Sequence, residues 1–81
     1  MEDLIKKYTK EVSEFNPINA IDLEMFRVRF LGSKGVLFQL FEQYKIADLK
    51  DKKRFATMML EFKYLTEAKY EEIKQKLFTK N

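Results

Sequence analysis

Arg27-Val28-Arg29-Phe30-Leu31-Gly32-Ser33-Lys34-Gly35 is the stretch whose reading decides the fold. Both glycines of the chain lie in it, three residues apart, with a lysine between them and apolar residues at helical spacing on either side. Glycine is the common residue at the end of a helix, where the backbone leaves the helical path and no side chain obstructs the turn. The stretch therefore predicts a helix that stops at Gly32, a tight turn that holds Lys34 toward solvent, and another helix after Gly35. A cation presented at the tip of a turn suits contact with phosphate.

On the N-terminal side, Ile5, Tyr8, Val12 and Phe15 follow a 3-4-3 spacing that makes one apolar stripe of a helix. Asn16-Pro17 is expected to end it, because the residue before a proline is pushed out of the α region. Asn16 is then expected to cap a second helix with Pro17 at its first position. That helix runs to about Leu31, with Ile21, Met25 and Val28 on one row and Leu23, Phe26 and Phe30 on another. Beyond the turn, Val36, Leu37, Leu40, Phe41 and Tyr44 mark a short third helix. Asp48 or Asp51 is expected to cap a last helix that continues without a breaker to about Thr79.

The fold class implied is all-α: an antiparallel helical hairpin, a coiled-coil-like arm of three to four helices with one long C-terminal helix, in a single domain over residues 1–81. A last helix of about 30 residues reaches roughly 45 Å at 1.5 Å per residue. The first two helices have nearly the same combined reach and are expected to lie end to end along it, with the third covering the turn end. Met58, Met59, Leu60, Phe62, Tyr64 and Leu65 occupy more than half the circumference of the last helix, which calls for cover on more than one side. If the third helix cannot supply it, a homodimer pairing through Met58, Phe62 and Leu65 is expected.

Composition narrows the chemistry. The 81 residues contain neither cysteine nor histidine. Disulfides and thiolate metal sites are thereby excluded, along with the commonest general base and the commonest zinc ligand. The start, Met1-Glu2-Asp3-Leu4, is acidic and lacks an apolar core, so no secretory signal is expected. The longest apolar runs are three residues, as in Met58-Met59-Leu60, against the ~20 needed to span a bilayer. No membrane association is expected, and a cytoplasmic location follows as the default. Glu71-Glu72 and Asp48…Asp51 bring carboxylates close in sequence, but adjacent helical residues point apart and connector aspartates cap helices. Gly32-Ser33-Lys34-Gly35 is too short to be a phosphate-cradling P-loop. No catalytic residue, cofactor, metal or small-molecule substrate is expected: the chain alone is not an enzyme.

The net charge is +3, unevenly spread. Residues 1–31 balance at −1, residues 32–54 at +3 and residues 55–81 at +1. The excess sits on the turn, the third helix and the connector, which suits either a local phosphate contact or a slightly basic solvated surface. Lys34 has no evident structural task and is the first candidate for RNA contact. Arg27 and Arg29 lie in the last turn before Gly32, where cations also complement the partial negative charge of a helix C-terminus. Lys52, Lys53 and Arg54 follow Lys50 in a dense basic run expected near the same end as Lys34, and Lys63 completes the set. Of the eight phenylalanines, Phe15, Phe26, Phe30, Phe41, Phe55 and Phe62 fall on apolar rows and read as core. Phe38, Tyr70 and Phe78 fit those rows less well and read as exposed or partner-facing.

The central stretch resembles the R-V-x-Y-L-G-K-K-G ending found in the N-terminal helical arm of bacterial-type phenylalanyl-tRNA synthetase α subunits. Leu23, Arg27, Val28, Leu31, Gly32, Lys34 and Gly35 match, with Phe30 in place of the tyrosine. Leu37 falls in the leucine-rich turn that follows. The connector Asp48-Leu49-Lys50-Asp51-Lys52 falls where the family carries a Pro-Pro-Glu-Glu-like run, and Met59-Leu60-Glu61-Phe62-Lys63 lies on I-N-E-A-K without a gap. Three departures stand out: Ser33 replaces a lysine, the connector prolines are absent, and bulky Phe62 replaces a small residue. The resemblance implies a non-catalytic, tRNA-contacting arm that binds by phosphate and shape, either as a segment of the synthetase subunit or as a separate small protein. A helical protein-interaction module that reuses the fold, as a homodimer, is the alternative.

Overall fold

The computed structural model describes residues 2–78. Four helices follow one another: α1 (Glu2–Glu14), α2 (Ala20–Leu31), α3 (Val36–Lys45) and α4 (Leu49–Phe78). Their assembly measures 51 × 19 × 17 Å, an elongated arm whose length is set by α4. The fold class is the all-α arm expected from the breakers. The expected end of the last helix near Thr79 lies outside the described residues.

The order of the helices along that arm differs from expectation. The Glu2 carboxylate lies 3.7 Å from Arg54 at one end of α1, while Lys69 meets the carbonyls of Val12, Ser13 and Phe15 at the other. Helix α1 therefore runs parallel to α4. Glu11 pairs with Arg29, and Phe15 packs edge-on against Phe26 at 5.3 Å, so α2 runs antiparallel to α1. Phe30 meets Phe62 at 6.5 Å, and the Lys52 ammonium donates to the Lys45 carbonyl at 3.2 Å. Thus α2 and α3, rather than α1 and α2, lie end to end as the returning arm against α4. Apolar spacing is the same whichever way a helix points, and the connector decides its direction. Here the Phe15 ring folds back onto Phe26 and Phe30, which makes residues 15–19 a reversal.

The start of α2 explains how that reversal closes. Its N-cap is Asn19, not Asn16: the Asn19 side-chain oxygen accepts from the Asp22 backbone N–H at 2.8 Å. The Asp22 carboxylate reaches back to the Ile18 N–H at 3.4 Å, a reciprocal arrangement akin to a capping box. Pro17 is buried in the linker instead of opening the helix. At the other end of α2, the Gly35 N–H donates to the Gly32 carbonyl at 3.0 Å and closes the turn as expected. Neither glycine has a positive φ. Their requirement is close approach: a Cβ on Gly32 would lie 2.5 Å from the Val28 oxygen, and one on Gly35 would lie 2.5 Å from the Arg29 oxygen.

The core joins Ile5 and Val12 of α1, Phe26 and Phe30 of α2, Val36 and Leu40 of α3, and Met59 and Phe62 of α4. Phe26 and Phe30 stand 5.0 Å apart, and Phe15 bridges both from the connector. Phe55 is buried and Phe15 half-buried, in keeping with their rows. Phe41 departs from expectation: it is 45% exposed, because Val36 and Leu40 already fill the face that α3 turns to α4. Of the two rows on α2, only Leu23, Phe26 and Phe30 are buried; Ile21, Met25 and Val28 face outward. The proposed dimer seam is mostly covered within one chain. Phe62 is 2% exposed and Met58 packs against the core beside α1, leaving Leu65 exposed. Of the girdle, Met59 and Phe62 are covered by the other helices of the same chain, while Leu60, Tyr64 and Leu65 stay exposed. Thr66, buried among these apolar groups, satisfies its hydroxyl by donating to the Phe62 carbonyl at 2.8 Å.

Candidate nucleic-acid interface

The seven candidate cations divide by what already holds them. Arg27 is engaged by Glu24 one turn earlier through two hydrogen bonds, of 2.9 and 2.7 Å, in a fork-like pair. Arg29 hydrogen-bonds to Glu11 on α1 and lies 5.5 Å over the Phe30 ring. Arg54 lies 3.7 Å from Glu2 and 3.9 Å from Asp51, with its guanidinium 5.3 Å over the Phe55 ring. Lys52 donates to the Lys45 carbonyl and sits 4.8 Å over the Tyr44 ring, tying α3 to α4. These four side chains are structural fasteners as well as surface charges. The ammonium groups of Lys34, Lys53 and Lys63 have no hydrogen-bond or ion-pair partner among the described residues.

The structure also separates two groups that the sequence reading placed together. Lys34 sits in the turn before α3, whereas Lys52 meets Lys45 at the far end of that helix. Ten residues of α3 intervene, roughly 15 Å at 1.5 Å per residue. The Gly32–Gly35 turn is therefore a step midway along the arm, and the basic run lies at its end. Lys63 occupies the interval, on the rim of a groove lined by Phe41, Tyr44, Ala56, Met59 and Leu60.

The sequence matches the family described as the class II aminoacyl-tRNA synthetase N-terminal domain over residues 19–81. The chain belongs to this family. It is 38% identical over 80 residues to the phenylalanine–tRNA ligase alpha subunit of Flavobacterium johnsoniae and 36% identical over 80 residues to that of Flavobacterium psychrophilum. Each alignment takes in 99% of this chain and 24% of the relative. The corresponding subunit of Chloroherpeton thalassium is 35% identical over 72 residues, 89% of this chain and 21% of its own. The chain thus spans about a quarter of the length of the curated relatives it matches. No solved structure matches it significantly. All seven candidate cations fall within the part that matches the N-terminal domain family.

Among the described residues, no cluster of three or more acidic side chains is placed to hold a metal ion, and no helix is long and apolar enough to cross a membrane. Sequence reasoning missed one residue of consequence to this synthetase-family domain. Lys69 is half-buried and donates to the carbonyls of Val12, Ser13 (3.1 Å) and Phe15, closing the C-terminal end of α1 from across the bundle. Burial holds its ammonium below the ordinary lysine pKa, with Glu72 opposing the shift. The signal for this role is a gap: the last turn of α1 carries no basic residue to meet its free carbonyls.

The Glu11–Arg29 pair makes the fold sensitive to acid. The Arg29 hydrogen bond holds the Glu11 carboxyl below its ordinary 4.5, so the pair's stabilisation is complete above that pH and is lost as pH falls through the lowered value. Both side chains are substantially solvated, which limits the effect to the 0–1 kcal/mol range of surface pairs. Arg29→Met is expected to flatten the fall in melting temperature between neutral pH and acid below 4.5. The Glu24–Arg27 pair remains as the residual slope. Thermal melts of both proteins at each pH check this, and an unchanged slope would assign the acid sensitivity elsewhere.

Proposed function

We propose that residues 1–81 work as one non-catalytic helical domain that contacts tRNA through phosphate and shape, in the cytoplasm, as part of translation. The observation that carries this reading is Lys34: a cation without a partner, held out by a closed turn, in a chain of the synthetase N-terminal domain family. Lys53 and Lys63 extend the contact along the arm as free ammonium groups. Arg29, Arg27, Lys52 and Arg54 add positive potential while remaining tied to their intramolecular partners. The arm supplies no base-specific readout by these groups, since phosphate contacts position a nucleic acid without reading its sequence.

A surface making a few phosphate contacts binds in roughly the 10⁻⁴–10⁻⁶ M range typical of non-specific association. Lys34→Glu with Lys53→Glu is expected to weaken tRNA binding by about tenfold or more and to reduce the log–log salt slope by about two. Lys7→Glu with Lys10→Glu, at exposed positions of α1, makes the same change in net charge and is the control. Labelled tRNA titrated at several salt concentrations, with circular dichroism as the check on folding, decides the matter. Equal binding by wild type and double variant would remove the RNA role from these lysines. A second reading, a stand-alone protein-interaction module, draws on the outward row Ile21, Met25 and Val28. Absence of tRNA binding together with a dimer in sedimentation equilibrium would put that reading first.

A further inference from the structure

The groove between α3 and α4 joins features that the phosphate-contact reading leaves unused. Its lining is Phe41, Tyr44, Ala56, Met59, Leu60 and the stem of Lys63, so its wall is apolar and aromatic and its lining cation is free. Phe41 is 45% exposed and Leu60 46%, although aromatic and aliphatic rows on helices normally bury themselves. Tyr64, 61% exposed, continues the Leu60 row one turn further along α4, and Lys53 precedes Ala56 on the same side by one turn. No carboxylate lines the groove. The nearest acidic groups in sequence are Glu42, 3.4 Å from Lys45, and Glu61, which lines the separate pocket between α1 and α4 with Ile5 and Met58. The enclosed space, about 220 Å³, is below the ~300–1,000 Å³ that takes in whole small ligands. It suits a flat ring laid against its wall.

We infer that this groove takes an unpaired RNA base against its Phe41 wall, with the exposed Tyr64 beyond Leu60 offering a face to the next base and Lys53 and Lys63 meeting the phosphates. The inference rests on the RNA reading above and deepens it. The arm would prefer a single strand or a flipped-out loop nucleotide to a closed duplex, because a paired base has no free face to offer. Aromatic side chains beside free cations are the usual means of binding unpaired nucleic acid, and stacking of this kind is worth ~1–3 kcal/mol per base. The apolar wall alone would equally suit a protein helix. The free lysines and the lack of an acid in the lining favour a polyanion.

Phe41→Leu with Tyr64→Leu tests the point, since leucine keeps the apolar wall and the helix but removes the π face. The probes are a short single-stranded oligouridylate and a fully paired RNA duplex of the same length, each bound by fluorescence anisotropy to the full chain. Wild type is expected to prefer the single strand. The double leucine variant is expected to lose about tenfold on the single strand, with the salt slope unchanged because no charge is removed. Equal binding of strand and duplex by wild type would overturn the stacking site, as would full retention by the leucine variant. If Lys34→Glu with Lys53→Glu still impairs tRNA binding in either case, the phosphate reading stands while the base site falls. If wild type binds no RNA and forms a dimer that Leu60→Glu dissolves, the groove belongs to a second copy and the inference is overturned.

Discussion

Phe30→Ala is expected to leave much of the chain unfolded at physiological temperature. The Phe30 ring is fully buried and meets three other aromatics, Phe26 at 5.0 Å, Phe15 at 6.1 Å and Phe62 at 6.5 Å. It is thus the point at which α2, the reversing connector and α4 are held together. Removing a buried phenylalanine ring costs about 3–5 kcal/mol through lost burial and the cavity left behind. A chain of this size has only about 4–12 kcal/mol of stability at ~0.05–0.15 kcal/mol per residue. The melting temperature should fall by at least about 12 °C. Phe41→Ala, at a half-exposed site on α3, should change it far less, by about 0.5 kcal/mol or a little more. Thermal denaturation followed by circular dichroism separates the two, and similar losses at both positions would contradict the core described above.

Gly35→Ala is the second large effect. The Gly35 backbone has φ −85° and ψ −168°, which any residue adopts, so the penalty is not conformational. An added Cβ would meet the Arg29 oxygen at 2.5 Å and the Val28 oxygen at 2.8 Å, both backbone atoms at the end of α2. Backbone of a packed helix cannot yield as a side chain can. Either the turn opens, breaking the Gly35-to-Gly32 hydrogen bond, or α3 shifts along α4. A loss of about 1–3 kcal/mol is expected, the usual scale for overpacking. Urea denaturation should show a lower midpoint for Gly35→Ala; on the phosphate-contact reading proposed above, the variant should also bind tRNA more weakly through misplacement of Lys34. A midpoint equal to wild type would show that the close approach is not required.

The glycine turn itself was legible because both breakers sit in one short segment and hydrophobic periodicity is continuous on either side. The end of the first helix was less so. Asn16-Pro17 carries the stronger local signal, yet Asn19 is the cap, because Asp22 completes a reciprocal pair with the segment preceding α2. Phe41 was misread for a related reason. Its row on α3 is apolar, but α4 has room for only one face of a ten-residue helix, and Val36 and Leu40 take it. Among the candidate cations, residue type identified the set but not the free members. Arg29 finds its acid on α1, 18 positions away in sequence, and Arg54 adds Glu2, 52 positions away, to its local partner Asp51; no local pattern registers such distances.

By itself the sequence determined the helical class, the four apolar segments, the turn at Gly32–Gly35 and the family resemblance. These rest on local physics: breakers stop helices, periodicity marks faces, and glycine accepts a close approach. Only the tertiary structure decided that α1 runs parallel to α4, that α2 and α3 form the returning arm, and which part of the α4 girdle, Met59 and Phe62, is covered within the chain. It also decided which lysines stay free, and that Phe41 and Leu60 flank an open groove. Helical periodicity specifies which side of a helix is apolar and is silent on direction and neighbour. Those are chosen when rings such as Phe15, Phe26, Phe30 and Phe62 find one another across the bundle, and the charges then pair with whatever that packing brings near.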